Sequence, residues 1–129
     1  MRIVVDTNVL VSGLLNANGP PAQILGLIIN KKMTVLYDNR ILSEYYEVLK
    51  RKKFRFKKEW IDPLIDFIKI EEEYVIAEPL KIKLRDQDDK MFLEVAMSGN
   101  ANYLITGNLI HFPKNKMIIN PRGFIENYN

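Results

Sequence analysis

The chain is 129 residues long, which favours one domain spanning residues 1–129. Hydrophobic residues make up 47% of it and charged residues 27%, a composition that excludes disordered, collagen-like and low-complexity proteins. The formal net charge is +3, and the lack of cysteine excludes disulfide scaffolds, thiolate zinc sites and cysteine nucleophiles, so a metal ion would need oxygen ligands or the single histidine, His111.

Short apolar runs alternate with helical patterns along the whole chain. The β-branched run at residues 3–5 is typical of a strand buried on both faces of a parallel sheet. In chain order, the first half of the sequence predicts a strand at 3–5, a helix after Asp6, a helix opened by Pro20 and Pro21, a strand at 33–37 and a helix from Arg40 capped by Asp38 or Asn39. The second half predicts a helix around 60–68, an edge strand at 74–76 and a helix between Asp86 and Gly99. Two further strands are predicted at 103–106 and 117–119, and Pro121 ends the last one. This alternation predicts a three-layer α/β/α domain with a short central parallel sheet.

No stretch of the sequence has the character of a membrane or export segment. The N-terminal apolar run is interrupted at Asp6, which is unlike a signal peptide. No apolar stretch approaches the ~20 residues that a spanning helix needs. We therefore expect a cytoplasmic protein without membrane contact.

Acidic and amide side chains follow the predicted strands at the edge where such sheets bind ligands. Asp6 ends the first strand, Asn108 follows the strand at 103–106, and Glu44 lies on a neighbouring helix. Three further acids open a helix after a loop: Asp86, Asp88 and Asp89. Because clustered carboxylates repel one another and are costly to bury without partners, such an oxygen-rich cluster is typical of a Mg²⁺ or Mn²⁺ site.

Each of these residues also has an ordinary structural interpretation. Asp6 and its neighbours could cap a helix, and at least one of the acids at 86–89 is expected to be a cap or to complement a helix dipole. Glu44 could lie on a solvated helix flank. His111 is a candidate general base, because histidine exchanges protons near neutral pH, but a single histidine after a strand is more commonly a packing or hydrogen-bonding residue.

Seven basic residues and no acid lie between residues 50 and 58, and we call this stretch the basic segment. Its basic residues are Lys50, Arg51, Lys52, Lys53, Arg55, Lys57 and Lys58. The rest of the chain has 12 basic and 16 acidic residues, so the segment is a basic stripe on an acidic body and predicts contact with a polyanion. Phe54 and Phe56 could stack on unpaired bases. The alternative is a solvated helix end that complements the helix dipole.

Four motifs together resemble one known family. The opening VVDTNVLVSGLL, the mid-chain Glu44, the stretch DQDDKMFLEVAMSGNANYLITGN and the ending INPRGF are similar to a PIN domain, in the group of toxin components of toxin–antitoxin pairs related to VapC-like toxins. The resemblance extends over nearly the whole chain, and the first and third motifs are specific in combination. It implies a Mg²⁺- or Mn²⁺-dependent ribonuclease with a parallel α/β/α sheet, a small antitoxin protein as partner, and a homodimer.

The resemblance also implies roles for individual residues. Asp6 matches the first acid of the family, Glu44 the second, and Asp89, seven residues before Ala96, the third; these three are the expected catalytic residues. The expected metal ligands are Asp6, Glu44, Asp88, Asp89 and Asn108, and the residues expected to position them are Thr7, Asn8, Thr106 and Asp86. Asn108 departs from the family, because many members have an aspartate there, and its amide oxygen can ligate a cation but adds no charge.

The sequence thus predicts an endoribonuclease in which a metal-activated water cleaves RNA held by the basic segment. Two alternatives stay open. A non-catalytic RNA- or partner-binding module is favoured by the neutral Asn108. A phosphatase with Asp6 as nucleophile would resemble the haloacid dehalogenases, whose motif has a second acid two residues after the nucleophile, where Asn8 stands in this chain.

Overall fold

A computed structural model describes residues 1–128, in which five parallel strands form one sheet. The strands are β1 Arg2–Val5, β2 Thr34–Tyr37, β3 Glu73–Tyr74, β4 Tyr103–Ile105 and β5 Ile118–Ile119. The helices are α1 Thr7–Leu15, α2 Pro20–Ile29, α3 Asn39–Leu49, α4 Lys58–Glu71, α5 Lys90–Ser98 and α6 Pro121–Tyr128, and single 3-10 turns lie at Lys52–Phe54, Gln87–Asp89 and Leu109–His111. Within residues 1–128, no helix combines the length and the apolar character needed to cross a bilayer.

The sheet is centred on β1. Its order is β3-β2-β1-β4-β5, with Ile3 opposite Val35 of β2 and Val4 opposite Leu104 of β4. Helices cover both faces, which is why Ile3, Val4 and Val5 of β1 have no solvent exposure. The predicted three-layer α/β/α fold is confirmed.

The parallel arrangement brings the carboxyl ends of the central strands to one edge of the sheet. Asp6 follows β1 and Thr106 follows β4, and the Asp6 N–H donates to the Ile105 carbonyl at 2.9 Å. The buried Tyr45 of α3 donates its hydroxyl to the Val5 carbonyl, which fixes α3 against the same edge. Residues that are distant in sequence therefore meet where β1 ends.

Two large apolar side chains in the helices predicted around 60–68 and between Asp86 and Gly99 are about half exposed. Trp60 is 50% exposed because it lies in the first turn of α4, where the Lys57 ammonium sits 5.7 Å from the ring centre. Met97 is 48% exposed, and the buried face of α5 includes Glu94 instead. Arg40 makes that burial possible, because its guanidinium lies 2.7 Å from Glu94 and 2.8 Å from Asp38.

The C-terminal helix α6 was not predicted from the sequence. Pro121 ends the last strand as expected, but it also occupies the start of α6, where proline is well tolerated. Phe124 is the buried residue of this helix, and its ring packs edge-on against Tyr103 with ring centres 5.6 Å apart. The predicted edge strand at 74–76 also lies slightly earlier, at Glu73–Tyr74.

Candidate active site

Asp6 is the buried acid at the end of the central strand. The residue is 3% exposed, and the Thr106 hydroxyl donates to Asp6 Oδ2 at 2.7 Å. The Asn8 amide donates to the same oxygen over a longer 3.4 Å. Asp6 occupies the N-cap position of α1 but makes no side-chain capping hydrogen bond, so helix capping does not account for its carboxylate.

The surroundings of Asp6 disfavour its negative charge. Loss of hydration on burial raises the pKa of Asp6 to about 6; the hydrogen bond from Thr106 opposes this rise, and the charges of Asp89 and Glu44 add to it. A cation beside Asp6 would reverse the balance, because it favours the ionised form.

Glu44 of α3 also faces this edge of the sheet. The Thr7 hydroxyl at the start of α1 donates to Glu44 Oε2. Burial raises the pKa of Glu44, the Thr7 hydrogen bond opposes the rise, and Asp88 and Asp89 add to it. Glu44 is therefore a half-buried member of the acidic edge and not a solvated flank residue.

The three aspartates at 86–89 have different surroundings. Asp86 is exposed and caps the 3-10 turn, since its Oδ1 accepts a hydrogen bond from the Asp88 N–H at 2.9 Å. Asp88 is exposed beside Glu44, whereas only 13% of the Asp89 side chain is exposed. Burial raises the pKa of Asp89, and the negative charge of Asp86 raises it further. The hydrogen bond with His111 opposes this rise. Asp86 thus has the predicted capping role.

His111 contacts the acidic edge through Asp89. Its Nδ1 lies 2.9 Å from Asp89 Oδ2. In the part of the chain that the structure describes, Asp86, Asp89 and His111 bring three possible ligand atoms within 4.8 Å of one another. The charge of Asp89 raises the pKa of both Asp6 and Glu44, but those two acids do not belong to this tighter group. Sequence reasoning missed the pairing with Asp89, for which the signal was the position of His111 three residues after Asn108.

Asn108 and Asn8 connect the loop after β4 to the start of α1. The Asn108 N–H donates to Thr106 Oγ1 at 3.0 Å, and its side chain makes no capping hydrogen bond. Asn8 Oδ1 accepts from the Gly107 N–H at 3.3 Å while its amide reaches Asp6. Thr106 and Asn8 therefore orient the Asp6 carboxylate, and Asn108 lies beside them with an exposed side chain.

The basic segment continues from α3 into α4, with all seven basic side chains exposed. Arg51 lies 3.7 Å from Glu47, and Lys58 lies 4.0 Å from Asp62; the other five make no ion pair with residues 1–128. The Arg51 charge lowers the pKa of Glu44, against the larger effects that raise it, so the segment begins close to the acidic edge.

The aromatic residues of the basic segment differ from the prediction. Phe54 and Phe56 stack on each other, with ring centres 5.6 Å apart and planes 16° apart, and both pack partly buried against the core. The exposed rings nearby are Trp60 and Tyr46, and the latter has the Lys50 ammonium 4.6 Å from its centre. Mutual stacking leaves Phe54 and Phe56 poorly placed as platforms for bases.

A cleft of about 610 Å³ lies between α3 and the turn at Gln87–Asp89. Glu44 and Asp88 contribute acidic groups to its wall. The basic side chains along the cleft are Arg40, Arg51 and Lys90, of which Lys90 makes no ion pair within residues 1–128. The cleft joins the acidic edge to the beginning of the basic segment.

The raised pKa of Asp6 predicts a pH-dependent stability difference between the metal-free protein and Asp6→Asn. Because the folded-state pKa of about 6 exceeds the ordinary value of 3.8, the folded protein holds more protons on this group between those values than the unfolded chain. The contribution of Asp6 to the free energy of unfolding is therefore full below about pH 4 and is lost as pH rises towards 6. With chelator present, denaturant unfolding should show that the free energy of unfolding of Asp6→Asn rises relative to that of the parent by roughly 1 to 3 kcal/mol over this range. A difference that stays constant from pH 4 to 7 would contradict the raised pKa.

Comparison with known proteins assigns this arrangement to a family. A protein of Methanocaldococcus jannaschii that is described only as uncharacterized is 31% identical over 111 residues, which cover 84% of this chain and 71% of that protein. The family model of the PIN domain matches residues 2–109, a range that includes Asp6, Glu44, the acids at 86–89 and Asn108. The chain belongs to the PIN domain family.

Proposed function

We propose that the protein is a metal-dependent endoribonuclease with Asp6, Glu44 and Asp89 as its catalytic acids. The observation that carries this proposal is the buried Asp6 carboxylate, whose pKa is raised to about 6 beside two other acids at the sheet edge. A purely structural acid would gain stability from a cationic partner, but Asp6 has hydroxyl and amide partners and negatively charged neighbours. Perturbed carboxylates of this kind are typical of functional sites.

The donor set fits a hard divalent cation. Asp6, Glu44 and Asp89 would hold Mg²⁺ or Mn²⁺ through carboxylate oxygens, and Asp88 and Asn108 provide further oxygens nearby. A bound ion of this kind activates the attacking water and neutralises charge that builds up on the phosphate. Thr106 and Asn8 hold Asp6 in a fixed orientation, and Thr7 does the same for Glu44.

The substrate would reach the acids along the basic segment. Five of its cations have no acidic partner within residues 1–128, so they are free to contact phosphates. Arg51 lies closest to the acids, where it would offset repulsion between an RNA phosphate and Glu44. RNA is therefore the proposed substrate.

A non-catalytic RNA-binding module is the second candidate, and Asn108 favours it because this position adds no charge to the site. The phosphatase alternative is less compatible with the structure, since a nucleophilic Asp6 would have to act from a position only 3% exposed. The antitoxin partner, the homodimer and the cytoplasmic location stay predictions from the sequence.

We expect the protein to cleave RNA only with Mg²⁺ or Mn²⁺ present. Cleavage of a mixed RNA pool should stop with chelator and return with excess metal. Asp6→Asn should lower the cleavage rate by roughly 100-fold or more, because a Lewis-acid site contributes several kcal/mol to transition-state stabilisation.

Asp66→Asn is the matched control, because Asp66 is an exposed acid on α4 and its loss should leave cleavage unchanged. Metal-independent cleavage by well-folded Asp6→Asn would contradict the catalytic proposal. Parent protein that binds RNA but does not cleave it with either metal would favour the binding module.

The basic segment should control the salt dependence of RNA binding. If Lys52 and Lys53 contact phosphates, Lys52→Gln with Lys53→Gln should reduce the slope of log affinity against log salt by about 0.7 per lost contact on single-stranded RNA. The control is Lys31→Gln with Lys32→Gln, which removes the same charge between α2 and β2, at the amino ends of the strands. Equal slopes in both variants would show that the basic segment is only a solvated helix end.

A further inference from the structure

The structure contains a group of mixed ligands that the predicted set of acids does not include. Asp86, Asp89 and His111, here called the histidine cluster, place two carboxylate oxygens and one imidazole nitrogen within 4.8 Å of one another. The predicted catalytic acids supply oxygen only. A nitrogen donor at this point changes which metal ions the site would prefer.

Two turns at the functional edge of the sheet build the histidine cluster. Asp86 precedes the 3-10 turn at Gln87–Asp89, and Asp89 ends it. His111 ends the turn that begins at Leu109, and its N–H is held by the Asn108 carbonyl at 2.9 Å. The cluster therefore joins chain segments 22 residues apart, next to the Asn108 position.

The side chains are placed so that one ion can contact them. Two ligands about 2.1 Å from an octahedral ion and at right angles to each other lie about 3.0 Å apart. The distance between His111 Nδ1 and Asp89 Oδ2 is 2.9 Å. Asp86 uses Oδ1 to cap the turn, which leaves its other oxygen free.

The neutral side chain of Asn108 leaves a role for the histidine cluster in this chain. The resemblance to PIN domains places a fourth acid at this position, and asparagine there provides no charge. His111 is three residues further on and directly contacts Asp89, the acid that the proposed catalytic set shares with the cluster. A second ion held by the cluster would lie beside the first without a charged residue at 108.

We propose that Asp86, Asp89 and His111 form a second divalent-ion position, in which the His111 imidazole is a ligand and Mn²⁺ is preferred over Mg²⁺. The proposal rests on the proposed function, since Asp89 would serve both positions. Mg²⁺ strongly favours oxygen ligands, whereas an imidazole ligand favours first-row transition ions. The preference for Mn²⁺ is therefore a property that the catalytic acids alone would not produce.

Calorimetric titration of the full chain with Mn²⁺, and separately with Mg²⁺, tests this proposal. His111→Asn removes the nitrogen ligand but keeps a short polar side chain close to Asp89. It should lower Mn²⁺ affinity at one position by about tenfold or more and Mg²⁺ affinity by clearly less. Asp86→Asn, which can still cap the turn, should weaken Mn²⁺ binding at the same position, whereas the control Asp66→Asn should change neither metal.

Equal weakening of both metals in His111→Asn, or no weakening, would overturn the nitrogen ligand. An effect of Asp66→Asn as large as that of Asp86→Asn would overturn the assignment to this cluster. RNA cleavage measured on the same proteins separates the two proposals. If His111→Asn selectively loses Mn²⁺ binding but the parent protein does not cleave RNA, the second ion position is supported and the ribonuclease is contradicted. If the parent cleaves RNA but His111→Asn keeps the same preference for Mn²⁺, the ribonuclease is supported and the second ion position is contradicted.

Discussion

The ionised carboxylate of Asp6 is unfavourable in its buried position. The hydrogen bonds and charges that surround it at the sheet edge follow from this constraint. The acid stands at the end of the central strand, where it is only 3% exposed to solvent. Thr106 and Asn8 satisfy it with hydrogen bonds but bring no positive charge, and Asp89 and Glu44 add negative potential. A site of this kind is favourable for a cation and unfavourable for an isolated acid.

Two buried acids of this fold, Glu94 and Asp6, have different kinds of partner. Glu94 is also buried, but Arg40 pairs with it and offsets the rise in pKa that burial causes. As a result, the pKa of Glu94 lies below its ordinary value. Asp6 has a similarly small exposed fraction, and its pKa is raised. The contrast shows that the chain can neutralise a buried acid with arginine and does not do so at the sheet edge. That difference is the physical basis for assigning function to Asp6.

Much of the fold follows from local patterns in the sequence. The run at residues 3–5 and the prolines at 20 and 21 predict elements that the structure contains, because burial on both faces and fixed proline geometry act within a few residues. The convergence of Asp6 with Thr106 also follows, since parallel strands end at one edge. The exposed Trp60 and the helix α6 could not be predicted, because both depend on which face finds a tertiary partner.

The candidate site was partly predictable for the same reason. Asp6, Glu44 and Asp89 were identified from their position after predicted elements and from a family resemblance, and the structure brings their charges close enough to affect one another. The contact of His111 with Asp89 depends on the conformation of two irregular turns, which periodicity does not encode. The stacking of Phe54 on Phe56 likewise depends on the turn between α3 and α4.

Anomalous X-ray diffraction from crystals grown with Mn²⁺ tests most directly whether the acidic edge binds a divalent metal. We expect an anomalous difference peak in contact with the carboxylates of Asp6 and Asp89, absent from crystals grown with chelator. Peaks confined to other parts of the surface, or no peak at a Mn²⁺ concentration that supports RNA cleavage, would contradict it.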